Sequence, residues 1–408
     1  MHVSQNFVMR LRENNVLLPY ISIPDMLGSL SRTPPCLFIN VRKKEFFQTK
    51  KTKIDFSEKI AEKTMLGVLI VAATFAGSCA FSPASLGMAP LNHWHVLSFA
   101  GGLDRTKPHK FRVGELPLVT WFENATGNPT TTLDVCRHMG SRLHHGRVEN
   151  GCLVCPYHGL KHGSKQAFGE TKEFEGKIWW SHTPKHARPP SSPFFKNKRY
   201  ASSTVQVDME ASLMDSVYNV MDITHPQYVH SGPAGFGSDI PPSDVVTHVY
   251  PAMRNETIGL SFVYSAEGTF AHLDPGVKRS RNFHMLHYPG SSWSRVTMPN
   301  GRNLFVAVDL LPIGRDRTRW FVTLRHNYLT SPPGRWLINT AARCILEQDR
   351  QQMAKQTPSS LVKALAIFNA EMPFEKHFTE MRLMFKNWRY LDQNTVERMV
   401  FEYFRSSY

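Results

Sequence analysis

Two short motifs constrain this chain more than any other feature: Cys136-Arg-His138 and Cys155-Pro-Tyr-His158, with sixteen residues between them. In an extended segment, side chains two residues apart point the same way, so each half of the pattern predicts a loop tip that carries one thiol and one imidazole. Two such tips facing each other would enclose a metal pocket. Zinc also accepts two cysteines and two histidines, so the arrangement of the ligands has to decide between metals.

Each of the two motifs mixes a cysteine with a histidine, whereas zinc fingers usually pair like with like. This mixed arrangement, with the flanking residues 156–159, resembles the Rieske [2Fe–2S] proteins. The resemblance implies that Cys136 and Cys155 bind one iron and that His138 and His158 bind the other. Imidazole in place of thiolate raises the reduction potential of such a cluster above that of plant-type ferredoxins.

The segments around these motifs favour short β-strands. Runs rich in β-branched and aromatic residues, separated by Gly, Asn and Pro, predict a small antiparallel sandwich with strands at 119–122, 132–135 and 177–180. The resemblance implies a Rieske domain over residues 89–190. A Pro- and Ser-rich stretch at 188–193 indicates its exit linker.

A second group of candidate ligands follows at Asp222, His225 and His230. Apolar residues near helical spacing predict a helix here, and Pro226 disfavours helical geometry at the residue before it, so we expect the helix to end near His225. Asp222 would then lie one turn before His225, on the same helix face. The pattern alone does not specify a metal site, because 19 histidines in 408 residues produce such pairs by accident.

Rieske non-heme iron oxygenases carry the same run after their Rieske domain. The resemblance implies that His225 and His230 bind a mononuclear iron, and that a carboxylate completes a facial triad with positions left open for O₂. The acidic segment around residue 349 resembles the corresponding part of the family's long C-terminal helix. Asp349 is the predicted third ligand and Glu347 the alternative; an ordinary solvated helix face is the non-functional interpretation.

The resemblance also assigns a role to Asp222. In the family this carboxylate links a cluster histidine of the neighbouring subunit, here His158, to the mononuclear site, which implies a head-to-tail homotrimer. A carboxylate that accepts imidazole N–H groups from both sides would orient both rings. Asn219, one helical turn earlier, is expected to assist by hydrogen bonding.

The remainder of the chain predicts the second half of an α+β protein. Four apolar or alternating runs at 259–264, 282–287, 304–311 and 319–325 indicate strands of one antiparallel sheet, and a long helix is expected at about 335–357. The family's catalytic domain is a helix-grip fold, in which a curved sheet surrounds such a helix and forms an apolar pocket. We therefore expect a catalytic mononuclear iron domain at 191–360 and a helical C-terminal extension of it at 361–408.

The first 88 residues read as a leader. Residues 1–64 carry basic runs without a helical or strand period, which predicts disorder or a gene-model extension with Met65 as the true start. Residues 65–80 are uncharged and apolar, too short to span a bilayer, and end on small residues, as a signal peptide does; a short buried helix is the alternative. The junction at 81–84 resembles bipartite plastid-targeting leaders, so residues 65–88 predict plastid import and a mature protein without a transmembrane anchor.

The net charge of +15, of which +10 lies beyond residue 80, indicates an acidic partner. No basic-aromatic RNA signature accompanies the charge, so nucleic acid is not expected. The sequence contains no G-x-G-x-x-G after a strand and no second cysteine array, which excludes a recognisable reductase module and predicts an external donor of the ferredoxin type.

Together these features predict a Rieske-type oxygenase, a monooxygenase rather than a dioxygenase. It would use O₂ and donor electrons to hydroxylate, demethylate or ring-cleave a small apolar or aromatic substrate. The plastid leader makes the pheophorbide a oxygenase and chlorophyllide a oxygenase group the natural comparison, and hence a chlorophyll-derived pigment a candidate substrate. The alternative is a non-catalytic Rieske protein for electron transfer or redox sensing in a plastid complex.

Overall fold

The computed structural model describes residues 91–123, 127–192, 195, 199–230, 243–249, 256–265, 279–297, 301–356, 381, 385, 396, 399 and 403–405. All of them lie within one compact unit, Phe75–Tyr408. The predictions for residues 1–64 and 65–88, and most of the prediction for 361–408, fall outside the described residues.

The first half of the described chain is built from short antiparallel strands. These are β1 (His95–Phe99), β2 (His109–Val113), β3 (Leu116–Phe122), β4 (Pro129–Leu133), β5 (Arg147–Glu149), β6 (Cys152–Val154), β7 (Lys161–His162), β8 (Glu170–Phe174) and β9 (Lys177–Ser181). They form three-stranded sheets in the orders β1-β9-β8, β2-β3-β4 and β5-β6-β7. The predicted strands near residues 119, 132 and 177 correspond to β3, β4 and β9.

Strand β3 shows why these segments become strands. It is apolar along most of its length and lies between two partners, so Trp121 and Phe122 are completely buried. The indole N–H of Trp121 donates to the carbonyl of Gly151 at 3.0 Å, which satisfies its polar atom in the core. This bond also ties the β2-β3-β4 sheet to the turn between β5 and β6.

The second half is one large antiparallel sheet with helices. Its strands are β10 (Ala201–Met209), β11 (Ser243–Val249), β12 (Thr257–Ser265), β13 (Arg279–His287), β14 (Ser291–Thr297), β15 (Asn303–Gly314) and β16 (Arg317–His326), in the order β10-β16-β15-β14-β13-β12-β11. The helices are α1 (Leu213–Met221), α2 (His225–Val229) and the 22-residue α3 (Pro332–Met353). A β domain followed by a sheet-rich domain with a long helix confirms the predicted α+β fold class.

Caps explain where the two longer helices begin. The Ser212 hydroxyl accepts the N–H of Asp215 at the start of α1, and Ser331 accepts that of Gly334 at the start of α3. Helix α3 lies against β10 and α2. This contact brings the C-terminal half of α3 to the segment that follows α1.

The two halves share one hydrophobic core. Phe99 of β1 packs edge-to-face on Phe321 of β16 with ring centroids 5.4 Å apart, and the N–H of Gly114 donates to the carbonyl of Pro312 at 2.8 Å. A buried ion pair joins Lys177 of β9 to Asp309 of β15. The β domain is therefore fixed on the large sheet through apolar, backbone and charged contacts together.

The C-terminal end of the chain contacts the β domain. Tyr403 donates its hydroxyl proton to the carbonyl of Gln166 at 2.5 Å, and its ring packs edge-to-face on Phe168 at 5.3 Å. Among the residues described, no helix combines the length and the apolar character that crossing a bilayer requires.

Candidate metal centres

The two cysteine–histidine motifs lie on matched turns. In the first turn, the carbonyl of Cys136 accepts the N–H of Gly140 at 2.8 Å, and in the second, Cys155 accepts from Gly159 at 3.1 Å. Both glycines have a positive φ, +73° and +71°, with open space where a Cβ would lie. The glycines are therefore needed for backbone conformation and not for close packing.

These turns bring the four predicted cluster ligands together with cysteines inside and histidines outside. The Cys136 and Cys155 side chains are buried, whereas the His138 and His158 rings are exposed. The Nδ1 atoms of the two histidines face each other at 3.2 Å. Facing ring nitrogens above two buried thiols fit a Rieske cluster, which needs two imidazole and two thiolate ligands and leaves the imidazole end accessible.

The thiol environments differ between the two loops. Burial is the largest influence on both groups, and it leaves the pKa of Cys136 raised. At Cys155, the backbone N–H groups of Tyr157 and His158 outweigh burial and leave the thiol pKa lowered. Backbone N–H groups directed at sulfur also stabilise a metal-bound thiolate, because they donate hydrogen bonds to its negative charge.

A buried aspartate supports the first cluster loop, and sequence reasoning did not identify it. The Asp134 carboxylate is fully enclosed, accepts the backbone N–H of His144 at 2.8 Å, and pairs with His144 Nδ1 at 2.6 Å. Its own backbone carbonyl accepts from Arg142 at 3.4 Å. These bonds hold the residues just beyond the Cys136 turn, so His144 positions the loop.

The segment carrying the predicted mononuclear site departs from the expected helix end. Helix α1 ends at Met221, four residues before His225, because Asp222 leaves helical geometry and its Oδ1 accepts the N–H and hydroxyl of Thr224 at 2.7 and 2.6 Å. A separate short helix, α2, then begins at His225 with Pro226 in its first turn. Asp222 is thus in a turn and not on a helix face shared with His225.

His225 begins helix α2 and His230 directly follows it, and both rings converge on α3. His225 Nε2 lies 3.3 Å and His230 Nε2 lies 3.6 Å from Oδ1 of Asp349. The two ring centroids are 5.2 Å apart with planes at 74°. Asp349 and His230 are buried, and the three donor atoms lie within 4.8 Å of one another.

Neighbouring groups fix which nitrogen of each ring is free. His225 Nδ1 lies 3.0 Å from the backbone carbonyl of Asp222, and His230 Nδ1 lies 3.3 Å from Oε1 of Gln348. Both partners are acceptors, so each Nδ1 carries a proton, and each Nε2, which faces Asp349, offers a lone pair when its ring is neutral. This donor set, with one carboxylate and two correctly oriented imidazoles, fits a mononuclear non-heme iron.

The two carboxylates considered for the third ligand have different surroundings. Asp349 is 4% exposed, and its Oδ1 accepts the Asn219 amide at 3.3 Å. Glu347 lies on the solvent side of α3, where Arg350 and Gln351 donate to it at 2.6 and 3.0 Å. The hydrogen bond from Arg350 is the largest of the causes that lower the pKa of Glu347 to about 2. The structure brings Asp349, and not Glu347, to the histidines.

The electrostatics of the site reflect the single carboxylate between two rings. Burial lowers the pKa of His225, but the hydrogen bond and charge of Asp349, together with the smaller contributions of Asp222, outweigh it and raise the pKa above its ordinary value. Burial dominates at His230, where the pKa is lowered in spite of Asp349. Asp349 therefore attracts positive charge to the point on which both rings converge.

Asp222 retains a partly accessible oxygen. Its Oδ1 accepts the hydrogen bonds of the turn, while Oδ2 lies 3.9 Å from His225 Nδ1, and the side chain is 31% exposed.

Gln348 was not predicted from the sequence, since a glutamine beside a candidate ligand carries no recognisable signal in one sequence.

Comparisons with known proteins agree with this geometry. Residues 93–176 match the family model of the Rieske [2Fe–2S] domain. The chain is 29% identical over 163 residues to the oxygenase component of dicamba O-demethylase from Stenotrophomonas maltophilia, covering 34% of this chain and 47% of the relative. It is 22% identical over 348 residues to the chloroplastic chlorophyllide a oxygenase of Oryza sativa subsp. japonica, covering 76% and 58%.

The matches thus span between about half and three fifths of the length of these two curated relatives. The crystal structure of dicamba monooxygenase bound to dicamba superposes with a TM-score of 0.61 at 17% identity, over 72% of this chain and 96% of that one. The chain therefore contains a Rieske [2Fe–2S] domain, and the described chain as a whole has the fold of dicamba monooxygenase, a Rieske-type oxygenase.

Proposed function

We propose that the chain is the terminal oxygenase of a Rieske system, a monooxygenase that uses O₂ and electrons from a separate ferredoxin-type protein. One observation carries the proposal: two imidazole nitrogens lie 3.3 and 3.6 Å from one oxygen of Asp349, in the same chain as the cysteine–histidine loops. An electron-transfer or redox-sensing Rieske protein has no need of a two-histidine, one-carboxylate site. This site therefore favours the oxygenase over the carrier.

The proposed ligands are the residues identified above. Cys136, His138, Cys155 and His158 would hold the [2Fe–2S] cluster, and the triad on α2 and α3 would hold the iron. When bound, the cluster would supply single electrons, and the iron would activate O₂ for insertion into a C–H bond or an aromatic ring.

Hydrogen bonds from the surrounding residues hold the side chains of that triad in one orientation. Asn219 donates to Asp349 Oδ1 and so limits rotation of the carboxylate. Gln348 and the Asp222 carbonyl hold the protons of His230 and His225 on Nδ1. Outer hydrogen bonds of this kind are typically worth 10- to 100-fold in metal affinity or activity. Asn219 and Gln348 are thus positioning residues for the metal ligands.

We further propose that Asp222 connects neighbouring subunits. The cluster histidines are exposed, and Asp222 offers a partly exposed carboxylate beside His225. In a head-to-tail trimer, Asp222 would accept the N–H of His158 from the next subunit while remaining close to His225. The carboxylate would hold that imidazole in one orientation and share its proton.

Charge and the relatives support the choice of partner and compartment. The +10 charge beyond residue 80 complements an acidic donor, because opposite surface charges accelerate encounter. The Oryza sativa relative is chloroplastic, which supports the plastid location inferred from residues 65–88. That relative is a chlorophyllide a oxygenase, which supports an apolar or aromatic substrate such as a chlorophyll-derived pigment.

The test is product formation by the full chain. The protein is incubated anaerobically with chlorophyll-derived pigments and aromatic acids, then given O₂ and reduced ferredoxin, and products are analysed by mass. We expect one added oxygen or the loss of a methyl group, abolished by Asp349→Ala although ferredoxin still reduces the cluster. Rapid cluster reoxidation that is the same in Asp349→Ala, with no oxygen incorporated from the panel, would instead indicate the electron carrier.

A further inference from the structure

A second group of metal-type ligands lies where the β domain meets the large sheet. His93 precedes β1, His186 follows β9, and Glu256 precedes β12. His93 Nε2 lies 3.4 Å from one oxygen of Glu256, and His186 Nε2 lies 2.7 Å from the other. The three donor atoms lie within 4.8 Å of one another, and His93 and Glu256 are each only 6% exposed.

The protonation of His93 makes its buried nitrogen unusual. Its Nδ1 lies 2.7 Å from the amide oxygen of Asn92, so Nδ1 carries the proton, and Nε2 of the neutral ring is an acceptor. Nε2 is fully buried and has no hydrogen-bond partner among the residues that the structure describes. Its neighbour is a carboxylate oxygen of Glu256, which is also an acceptor.

Two buried acceptors that face each other repel, and a cation between them removes the repulsion. Bonds of about 2.0–2.2 Å around a tetrahedral ion place ligand atoms roughly 3.3–3.6 Å apart, close to the observed 3.4 Å between His93 Nε2 and Glu256. His186 Nε2 lies at hydrogen-bond distance, 2.7 Å, from the other oxygen, so its partly exposed ring would turn to reach the ion. The arrangement also repeats the feature seen at the α2–α3 triad, in which a ring's Nδ1 is held by an acceptor while Nε2 faces a carboxylate.

One cationic side chain already contacts the carboxylate. The ammonium group of Lys185 pairs with Glu256 but is 34% exposed, so it can turn into solvent when another cation binds. The His186 side chain is 39% exposed, which gives an ion a route to the buried donors.

We propose that His93, His186 and Glu256 form a second metal site, for zinc or a similar divalent first-row ion, with water in the remaining position. Two ligands come from the β domain and one comes from the large sheet, so the ion would clamp the two together. The site is separate from the proposed iron and cluster ligands, and the proposal does not depend on the oxygenase reaction.

The experiment measures zinc on the iron-loaded full chain without a chelator. Protein is equilibrated with zinc sulfate, excess metal is removed by gel filtration, and zinc and iron are counted per chain by mass spectrometry. The variants are His186→Ala and Glu256→Gln, with His109→Ala, a histidine on β2 whose ring contacts the Asp104 carbonyl, as the matched control.

We expect wild type and His109→Ala to retain about one zinc more than His186→Ala and Glu256→Gln, at equal iron content. Loss of a hydrogen-bond partner of a metal ligand typically weakens binding about 10- to 100-fold, and loss of the ligand itself should weaken zinc binding by more than that. Because Glu256 is buried, retention of cluster absorbance is used to check that the Glu256→Gln variant folds. If it does not fold, the result for His186→Ala, at a partly exposed residue, decides the test. Equal zinc in all variants would overturn the proposal.

Lys185→Met separates a metal site from a plain ion-pair network. A metal site predicts that zinc binds this variant more tightly than wild type, because a competing cation has been removed. A network that needs the ammonium group predicts a destabilised variant without added zinc affinity, and that result would contradict the site.

Discussion

Removing the ammonium group of Lys177 should destabilise the junction between the two halves strongly. Lys177 and Asp309 are a direct ion pair with side chains only 9% and 3% exposed. At an effective dielectric constant of about 20, their attraction is at least about 4 kcal/mol, which mainly offsets the cost of burying both charges. The intact pair is therefore nearly neutral for stability.

The substitution Lys177→Met removes one charge and leaves the other buried. Among the residues that the structure describes, the donor left to the Asp309 carboxylate would be the neutral Ser291 hydroxyl, at 2.7 Å from its Oδ1. Loss of one partner from a buried pair costs roughly 3–5 kcal/mol. Lys172→Met is the matched control on the neighbouring strand, since Lys172 is 38% exposed and should cost about 0–1 kcal/mol.

The assay is urea unfolding followed by tryptophan fluorescence, for which buried Trp179 and Trp180 lie beside Lys177 on β9. Adding Asp309→Asn to Lys177→Met should recover at least about 2 kcal/mol, because it removes the uncompensated charge. A Lys177→Met loss no larger than that of Lys172→Met would refute the reasoning. A further loss in the double variant would refute it as well.

Three further outcomes follow from the site geometry. Gly159→Ala should lower the free energy of unfolding by about 1–2 kcal/mol and lower cluster content, because Gly159 has φ +71°. Gly101 has open space around it and an ordinary φ, so Gly101→Ala should leave cluster absorbance unchanged. Asp222→Asn should lower product formation at least about 10-fold at unchanged iron content, and an unaltered rate would remove the intersubunit role. Raising salt from about 50 to 300 mM should slow cluster reduction by ferredoxin several-fold in stopped-flow absorbance, whereas a rate independent of salt would exclude charge-guided docking.

Local features of the sequence predicted much of the fold. The turns at Cys136 and Cys155 are set by a few adjacent residues each, including the glycine four positions later, so their pattern can be read directly from the sequence. Strands such as β3 and β15 carry apolar runs that are visible without a structure. The α+β arrangement then followed from the resemblance that these motifs indicated.

Features that depend on distant residues were not accessible in the same way. Asn219 on α1 and Asp349 on α3 are 130 positions apart, and they meet only in the folded chain, where the segment from α1 to α2 lies close to α3. Helix α1 was expected to end near His225, but the side chain of Asp222 bonds to Thr224 and ends it earlier. The competition between that turn and the helix depends on local hydrogen bonds that the hydrophobic period does not report.

The His93 group shows the same limit. Its two histidines flank the strands of one domain, and Glu256 enters from the other, so no spacing pattern joins them. For Asp349 and Glu347, the sequence offered two neighbouring carboxylates, and only the direction of each side chain on α3 distinguishes them.

The measurement that tests the central claim most directly is iron content per chain in a matched pair of variants. Wild type and Glu347→Ala should each contain about three irons, two in the cluster and one at the triad, and Asp349→Ala should contain about two with an unchanged Rieske spectrum. About two irons in wild type, or equal iron in Asp349→Ala and Glu347→Ala, would contradict a mononuclear site held by His225, His230 and Asp349.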